Sequence, residues 1–172
     1  MGRYTAGGAG RDLLAGAIAG AVAVWAMDRV DWKLYRARGV AGMLETQHAR
    51  PGGMDPAHVM ADKLGVSFGN KRDNPAGRTI HYGIGIGMGA LYGLLRGLSP
   101  AFARGRGGIY GLAMWVLQDE ALNTVMGTAA NPLAYPWQDH ARGAASHTVF
   151  GVVADLISRI LAPWRDRVVI ER

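Results

Sequence analysis

Four charge-poor stretches, spread along the chain and each close to a bilayer's thickness in length, constrain its fold more than any motif. Residues 13–27 are uncharged and run between Asp12 and Asp28, and residues 79–95 carry only His81. Residues 107–130 are broken only by Asp119 and Glu120, and residues 143–161 contain His147, Asp155 and Arg159. Each is roughly 15–24 residues long, against the ~20 that a helix needs to cross a ~30 Å hydrocarbon core. The first and fourth are short, so charged residues at their ends must reach out to the interface.

Glycine decides between a buried soluble helix and a membrane helix. The chain has 26 glycines in 172 residues, and the run from His81 to Gly93 places one at nearly every second position. In water each would cost a helix about 1 kcal/mol relative to alanine. In lipid, small residues four apart let helices approach closely. That spacing recurs at Gly16/Gly20, Gly85/Gly89, Gly89/Gly93 and Gly107/Gly111, so these glycines are expected at helix–helix contacts. Arg3 and Arg11 precede the first stretch and Ala21-Val-Ala23 imitates a signal-peptide cleavage site. With the chain starting at Met1, the stretch reads as a retained first span.

The polar segment 28–78 is expected outside the bilayer. Its beginning continues the first helix, with Trp25, Trp32 and Tyr35 at interface depth. Asp55 and Pro56 then open a short helix as N-cap and first helical residue, and Gly65 closes it. Val59, Met60, Lys63 and Leu64 form its apolar stripe. Basic residues set the orientation. Arg3, Arg11, Arg96, Arg104, Arg106, Arg159, Arg165, Arg167 and Arg172 share one side and Arg142 faces them, which places both termini in the cytoplasm. The long loop counters this with nine basic residues between Arg29 and Arg78.

Ionisable groups at membrane depth are costly and mark sites by default. His147, Gly151, Asp155 and Arg159 recur every four residues and share one helix face. His81, Gly85 and Gly89 share another; Trp115, Asp119, Asn123 and Met126 a third, with Glu120 about 100° round. Turned inward, these faces would collect His81, Asp119, Glu120, Asn123, His147 and Asp155 in a polar interior able to relay protons or hold a cation. The same residues could instead act as structural glue between helices. Asp28 and Asp31, three residues apart, offer a paired-carboxylate site or, as the favoured reading, an interfacial charged helix end. Asp55, His58 and Asp62 share a face of the loop helix and are weak candidates for a divalent metal. Tyr135, Pro136 and Trp137 form a stiff interface loop.

Other chemistry is poorly represented. There is no cysteine, hence no disulfide or thiolate site. No Walker A, HExxH or GxSxG motif occurs, and no serine has a nucleophile's context. No catalytic residue and no cofactor is therefore expected. The net charge of +6 permits nucleic acid, but the arginines bracket the apolar stretches rather than cluster with aromatics, so nucleic acid is not expected as a partner.

His81-Tyr-Gly, then Gly89-Ala-Leu-Tyr-Gly93, a Gly-rich third stretch, Tyr135-Pro-Trp137 and Ala145-Ser-His-Thr-Val-Phe-Gly151 together resemble the YagU-type bacterial inner-membrane proteins. The resemblance covers most of the chain from about Asp12 to Arg167 and is strongest in the last hundred residues. It implies a multi-span inner-membrane protein without established activity or catalytic residues, one member being linked to acid tolerance. His81, Pro136, Trp137 and His147 match the pattern. Asp119 and Glu120 fall outside it, as does the loop 50–56.

The sequence thus predicts one all-α integral membrane domain over residues 1–172. Its four-helix transmembrane bundle has spans at about 12–30, 79–97, 107–130 and 143–162, and the loop 31–78 carries an amphipathic helix. Two functions stand open: proton or ion handling through the buried His/Asp cluster, or an accessory or scaffold subunit docking through glycine faces. The expected partners are the bilayer and a homo-oligomer or larger membrane complex.

Overall fold

The computed structural model describes residues 6–162, all helical or in the turns between helices, with no strand among them. α1 is Ala6–Ala37, α2 Gly39–Ala49, α3 Pro56–Lys63 and α4 Pro75–Leu98. α5, Gly108–Met114, runs on through a π-helical stretch, Trp115–Leu122, into the single turn α6, Asn123–Val125; α7 is Trp137–Leu161. The basic segment 163–172, with Arg165, Arg167 and Arg172, and Arg3 lie outside the described residues.

The ends of these helices follow from their sequence. Nothing in 13–37 interrupts α1 until Gly39, whose φ of +69° suits glycine and turns the chain back into α2. Pro51 stops α2. α4 begins at Asn74, whose side chain accepts from the Gly77 amide at 2.7 Å, with Pro75 as its first residue. Gly127, at φ +62°, closes α6.

The segment 31–78 is not a loop with a single helix. It holds the end of α1, all of α2, α3 and two short 3-10 turns. Of the stripe predicted for α3, Val59 is buried, together with Ala57, His58 and Ala61, while Leu64 is exposed. Asp55 stands at the N-cap, yet its carboxylate pairs with Arg50 at 2.6 Å and makes no cap bond.

α1 lies at the centre, with α4 on one side and α7 on the other; α5 lies against α7. All three contacts are antiparallel. Gly16 meets Gly89 and Gly93, Gly20 meets Gly85 and Gly89, and Asp28 meets His81. Along α5 and α7, Gly107 meets Gly151, Gly111 meets His147, and Trp115 meets Gly143. At Gly16, Gly20, Gly89 and Gly93 the neighbouring atoms are backbone, so α1 and α4 touch main chain to main chain. Between the helices an apolar layer of Ala23, Val24, Tyr92, Met114, Phe150 and Ala154 is closed to solvent.

Besides this apolar core, the bundle carries aliphatic side chains on its outside and a few charges within. Leu14 on α1 is 65% exposed and Ile160 on α7 63%, with Ile18, Val22, Ile109, Leu117 and Leu156 exposed alongside them. Asp155 is only 2% and Arg96 8% exposed. Exposed aliphatic faces over buried charges are the informative departure from ordinary burial. Both α1 and α7 are long and apolar enough to cross a membrane. α4 is 24 residues long, but its glycines, tyrosines and Arg96 dilute its hydropathy.

Candidate functional site

The candidate polar residues occupy separate centres rather than one interior. At the end where α1 begins, Asp155 accepts from the Tyr92 hydroxyl at 2.7 Å and from Arg159 Nε at 2.7 Å, and Arg96 Nε lies 3.5 Å away. Asp12 is buried nearby, and a cavity of about 10 Å³ lies beside Asp12, Arg96 and Ser158, room for about one water. The Tyr92 ring meets that of Tyr110 at a 50° tilt, their centres 4.8 Å apart, and the Tyr110 hydroxyl donates to the Met88 carbonyl.

A second centre joins α5 to α7. His147 Nδ1 lies 3.0 Å from the Gly143 carbonyl and 3.6 Å from Asp119 Oδ2. The Gly143 contact is the hydrogen bond, so Nδ1 carries the proton there and Asp119 interacts through charge. Asn123 donates to Asp119 at 3.3 Å and accepts from Thr128 at 3.1 Å. His147 and Asp155 stand eight residues apart on one face, about 12 Å along the axis, and Phe150 with its apolar neighbours lies at the depth between them.

Two further histidine–carboxylate pairs lie toward the other end. His81 Nε2 is 2.8 Å from Asp28. His140 Nδ1 is 2.7 Å from Glu120, and its Nε2 is 3.1 Å from the Pro132 carbonyl. Glu120 therefore leaves the cluster with Asp119 predicted for it. Asp28 and Asp31 likewise diverge: Asp31 receives Arg142 at 2.6 Å on both carboxylate oxygens.

Sequence reasoning missed the network that follows. Arg142 bridges Asp31 to Asp139, Asp139 receives Arg38 at 2.9 Å, and Thr46 accepts from Arg38 and donates to Asp139. The i,i+3 spacing of Asp139 and Arg142 was the one visible signal; nothing local marks Thr46 or Arg38. Tyr35, unlike Trp25 and Trp32, is buried. Its ring is buried between the guanidinium groups of Arg142 at 5.3 Å and Arg50 at 5.9 Å, a stacked cation–π arrangement.

The weak metal candidates do not converge. Asp55 pairs with Arg50, Asp62 with Lys71 at 2.6 Å, and His58 is buried against Gly77. Among the described residues no group of three His, Cys, Asp or Glu could hold an ion. In the Pro-Trp loop, the Tyr135 hydroxyl accepts from the Ala130 amide, Pro136 stands at the N-cap of α7, and Trp137 opens it, largely exposed.

His140 yields a pH prediction. Burial lowers its pKa, but the hydrogen bond and charge of Glu120 outweigh this and raise it above 6.5. Both ring nitrogens face acceptors, an arrangement only the imidazolium satisfies in full. The folded pKa exceeds the unfolded one, so the stabilisation is complete below about pH 6.5 and is lost as pH rises through the folded value. The 131–137 loop is therefore expected to exchange its amide hydrogens faster at pH 8 than at pH 5.5, after correction for intrinsic rates. In His140→Gln that difference should vanish; equal protection at both pH values in the wild type would refute the assignment.

No family model, curated protein or solved structure matches the chain.

Proposed function

We propose that this chain is a small bacterial inner-membrane protein that crosses the bilayer four times, with both ends cytoplasmic, and handles protons through its buried histidine–carboxylate pairs. The four spans are about 12–30 of α1, 79–97 of α4, 107–130 through α5 and α6, and 143–162 of α7, which leaves His140 outside them, and the resemblance to YagU-type proteins belongs to the same reading. The observation that carries it is Asp119, Asn123 and His147 between α5 and α7, on helices whose opposite faces expose leucine, isoleucine and valine. Imidazole is the side chain whose charge changes near neutral pH, and a carboxylate beside it at membrane depth is the usual form of a proton relay. The apolar layer of Ala23, Val24, Met114 and Phe150 separates this centre from Asp155. The geometry therefore fits proton binding or transfer gated past Phe150 rather than an open pore.

The test is proton flux into liposomes holding the purified protein. Wild type should acidify the lumen under an imposed gradient, and His147→Gln and Asp155→Asn should reduce the rate at least about tenfold while melting like the wild type. Well-folded wild-type protein without flux would end the proton-handling reading.

A second reading, an accessory subunit of a membrane complex or a homo-oligomer, has one observation behind it. The glycines predicted to dock a partner, Gly16, Gly20, Gly85, Gly89 and Gly93, are spent between α1 and α4. Gly83 and Gly87, four apart on α4, have nothing within 4 Å of an added Cβ and leave room for another helix.

A further inference from the structure

Where α1 leaves its apolar stretch, five residues share an exposed side: Trp25, Arg29, Trp32, Lys33 and Arg36. Positions 25, 29, 32 and 36 recur at three- and four-residue intervals, which stacks them along one helix face. The Arg29 guanidinium lies 5.1 Å from the Trp25 ring centre, and that of Arg36 lies 5.3 Å from Trp32. Both indoles are about half exposed, at 52% and 53%. Arg29, Trp32, Lys33 and Arg36 line an open groove of about 420 Å³.

The acids of the same stretch are turned elsewhere, Asp28 to His81 and Asp31 to Arg142. Among the described residues no carboxylate pairs with Arg29, Lys33 or Arg36. Three cations thus share a groove without an anion, just past Met27 where the uncharged run ends. In a membrane-embedded chain, indole rings in such a place sit at headgroup level, and the anion available at that depth is a lipid phosphate.

We infer that this groove binds the phosphate of an anionic phospholipid, with Arg29, Lys33 and Arg36 on the phosphate and the two indoles on the glycerol and first methylenes. The inference rests on the membrane reading above. Guanidinium groups match phosphate geometry in a fork, and the cation–π contacts hold Arg29 and Arg36 near their rings. Each basic residue near an anionic surface is worth roughly fivefold in partitioning.

The experiment exchanges full-length protein in mixed micelles of a neutral detergent with phosphatidylglycerol or phosphatidylcholine and measures the lipid retained per protein. Wild type should favour phosphatidylglycerol by about tenfold or more. Arg29→Gln/Lys33→Gln/Arg36→Gln should bring the ratio near one while melting like the wild type, its side chains being on the surface. Trp32→Ala, which keeps the charges, should lose part of the preference. Arg104→Gln/Arg106→Gln, at the other end of the bundle, should keep it. A triple variant that still discriminates overturns the inference, as does a control variant that loses discrimination equally. Inorganic phosphate displacing the lipid from wild type would make the groove a free-anion site and overturn the lipid assignment. Protein recovered in the soluble fraction without detergent would instead sink the membrane reading itself, a result distinct from lost preference in inserted protein.

Discussion

Gly89→Ala is expected to force α1 away from α4 and destabilise the protein by about 3 kcal/mol or more. A Cβ at Gly89 would overlap the Gly20 backbone and the Gly16 carbonyl oxygen. Overpacking a core usually costs about 1–3 kcal/mol, and that range applies where side chains can yield. Here the obstacles are main chain, so a whole helix has to shift. Gly87→Ala, two residues before it, meets nothing within 4 Å and should change stability by less than about 1 kcal/mol. Gly85→Ala should fall between the two, since the nearest atoms its added carbon meets belong to the Val24 side chain rather than to main chain. Thermal melts of the three variants in one detergent give the comparison. Indistinguishable melts for Gly89→Ala and Gly87→Ala would show that α1 and α4 do not pack in this way.

Asp139→Ala should be the most damaging substitution in the polar layer at the far end, costing about 3 kcal/mol. Its side chain is 6% exposed and receives Arg38, 13% exposed, and Arg142, 11% exposed. Removing one partner of a buried charge pair typically costs about 3–5 kcal/mol. The lower end applies because Arg142 keeps Asp31 and Arg38 keeps Glu45. Asp139→Asn retains an acceptor for Thr46 and should lose less. α2 is held to α7 through this carboxylate, so proteolysis near Arg50 should quicken in step with the loss of stability. Molar salt should not reproduce the effect, since screening acts on exposed charges. A change below about 1 kcal/mol, or one that salt mimics, would show that Asp139 does not hold this layer together.

The helices at 6–37, 75–98 and 137–161 were legible because their uncharged runs are long and lack proline inside. The glycine contacts were legible for a related reason: a four-residue spacing fixes a face, and small residues on one face allow two backbones to meet. Depth was not legible. Periodicity says which residues share a side, not how far along the axis they stand. His147 and Asp155 were therefore read as one cluster though they stand about 12 Å apart along α7, and His81 pairs instead with Asp28 between α4 and α1. α2 went unseen because Gly39, Val40 and Gly42 weaken its helix signal, and what fixes it comes from Asp139, 93 residues beyond Thr46. Glu120 was sent to the interior on a spacing of 100° per residue. The π-helical turn at Trp115–Leu122 breaks that spacing, and Glu120 finds His140 instead.

The pairing of Asp119 and Glu120, in the π-helical stretch after α5, with histidines of α7 has a consequence for insertion under the proposed four-span reading. An unpaired carboxylate at the middle of a span costs about 2.5–3.5 kcal/mol on the insertion scale, and α5 together with its π-helical turn brings two. Glu120's partner His140 is made 20 residues later and Asp119's partner His147 28 residues later, both on α7. In the four-span arrangement the nascent α5 is a poor guest for the translocon until its successor arrives.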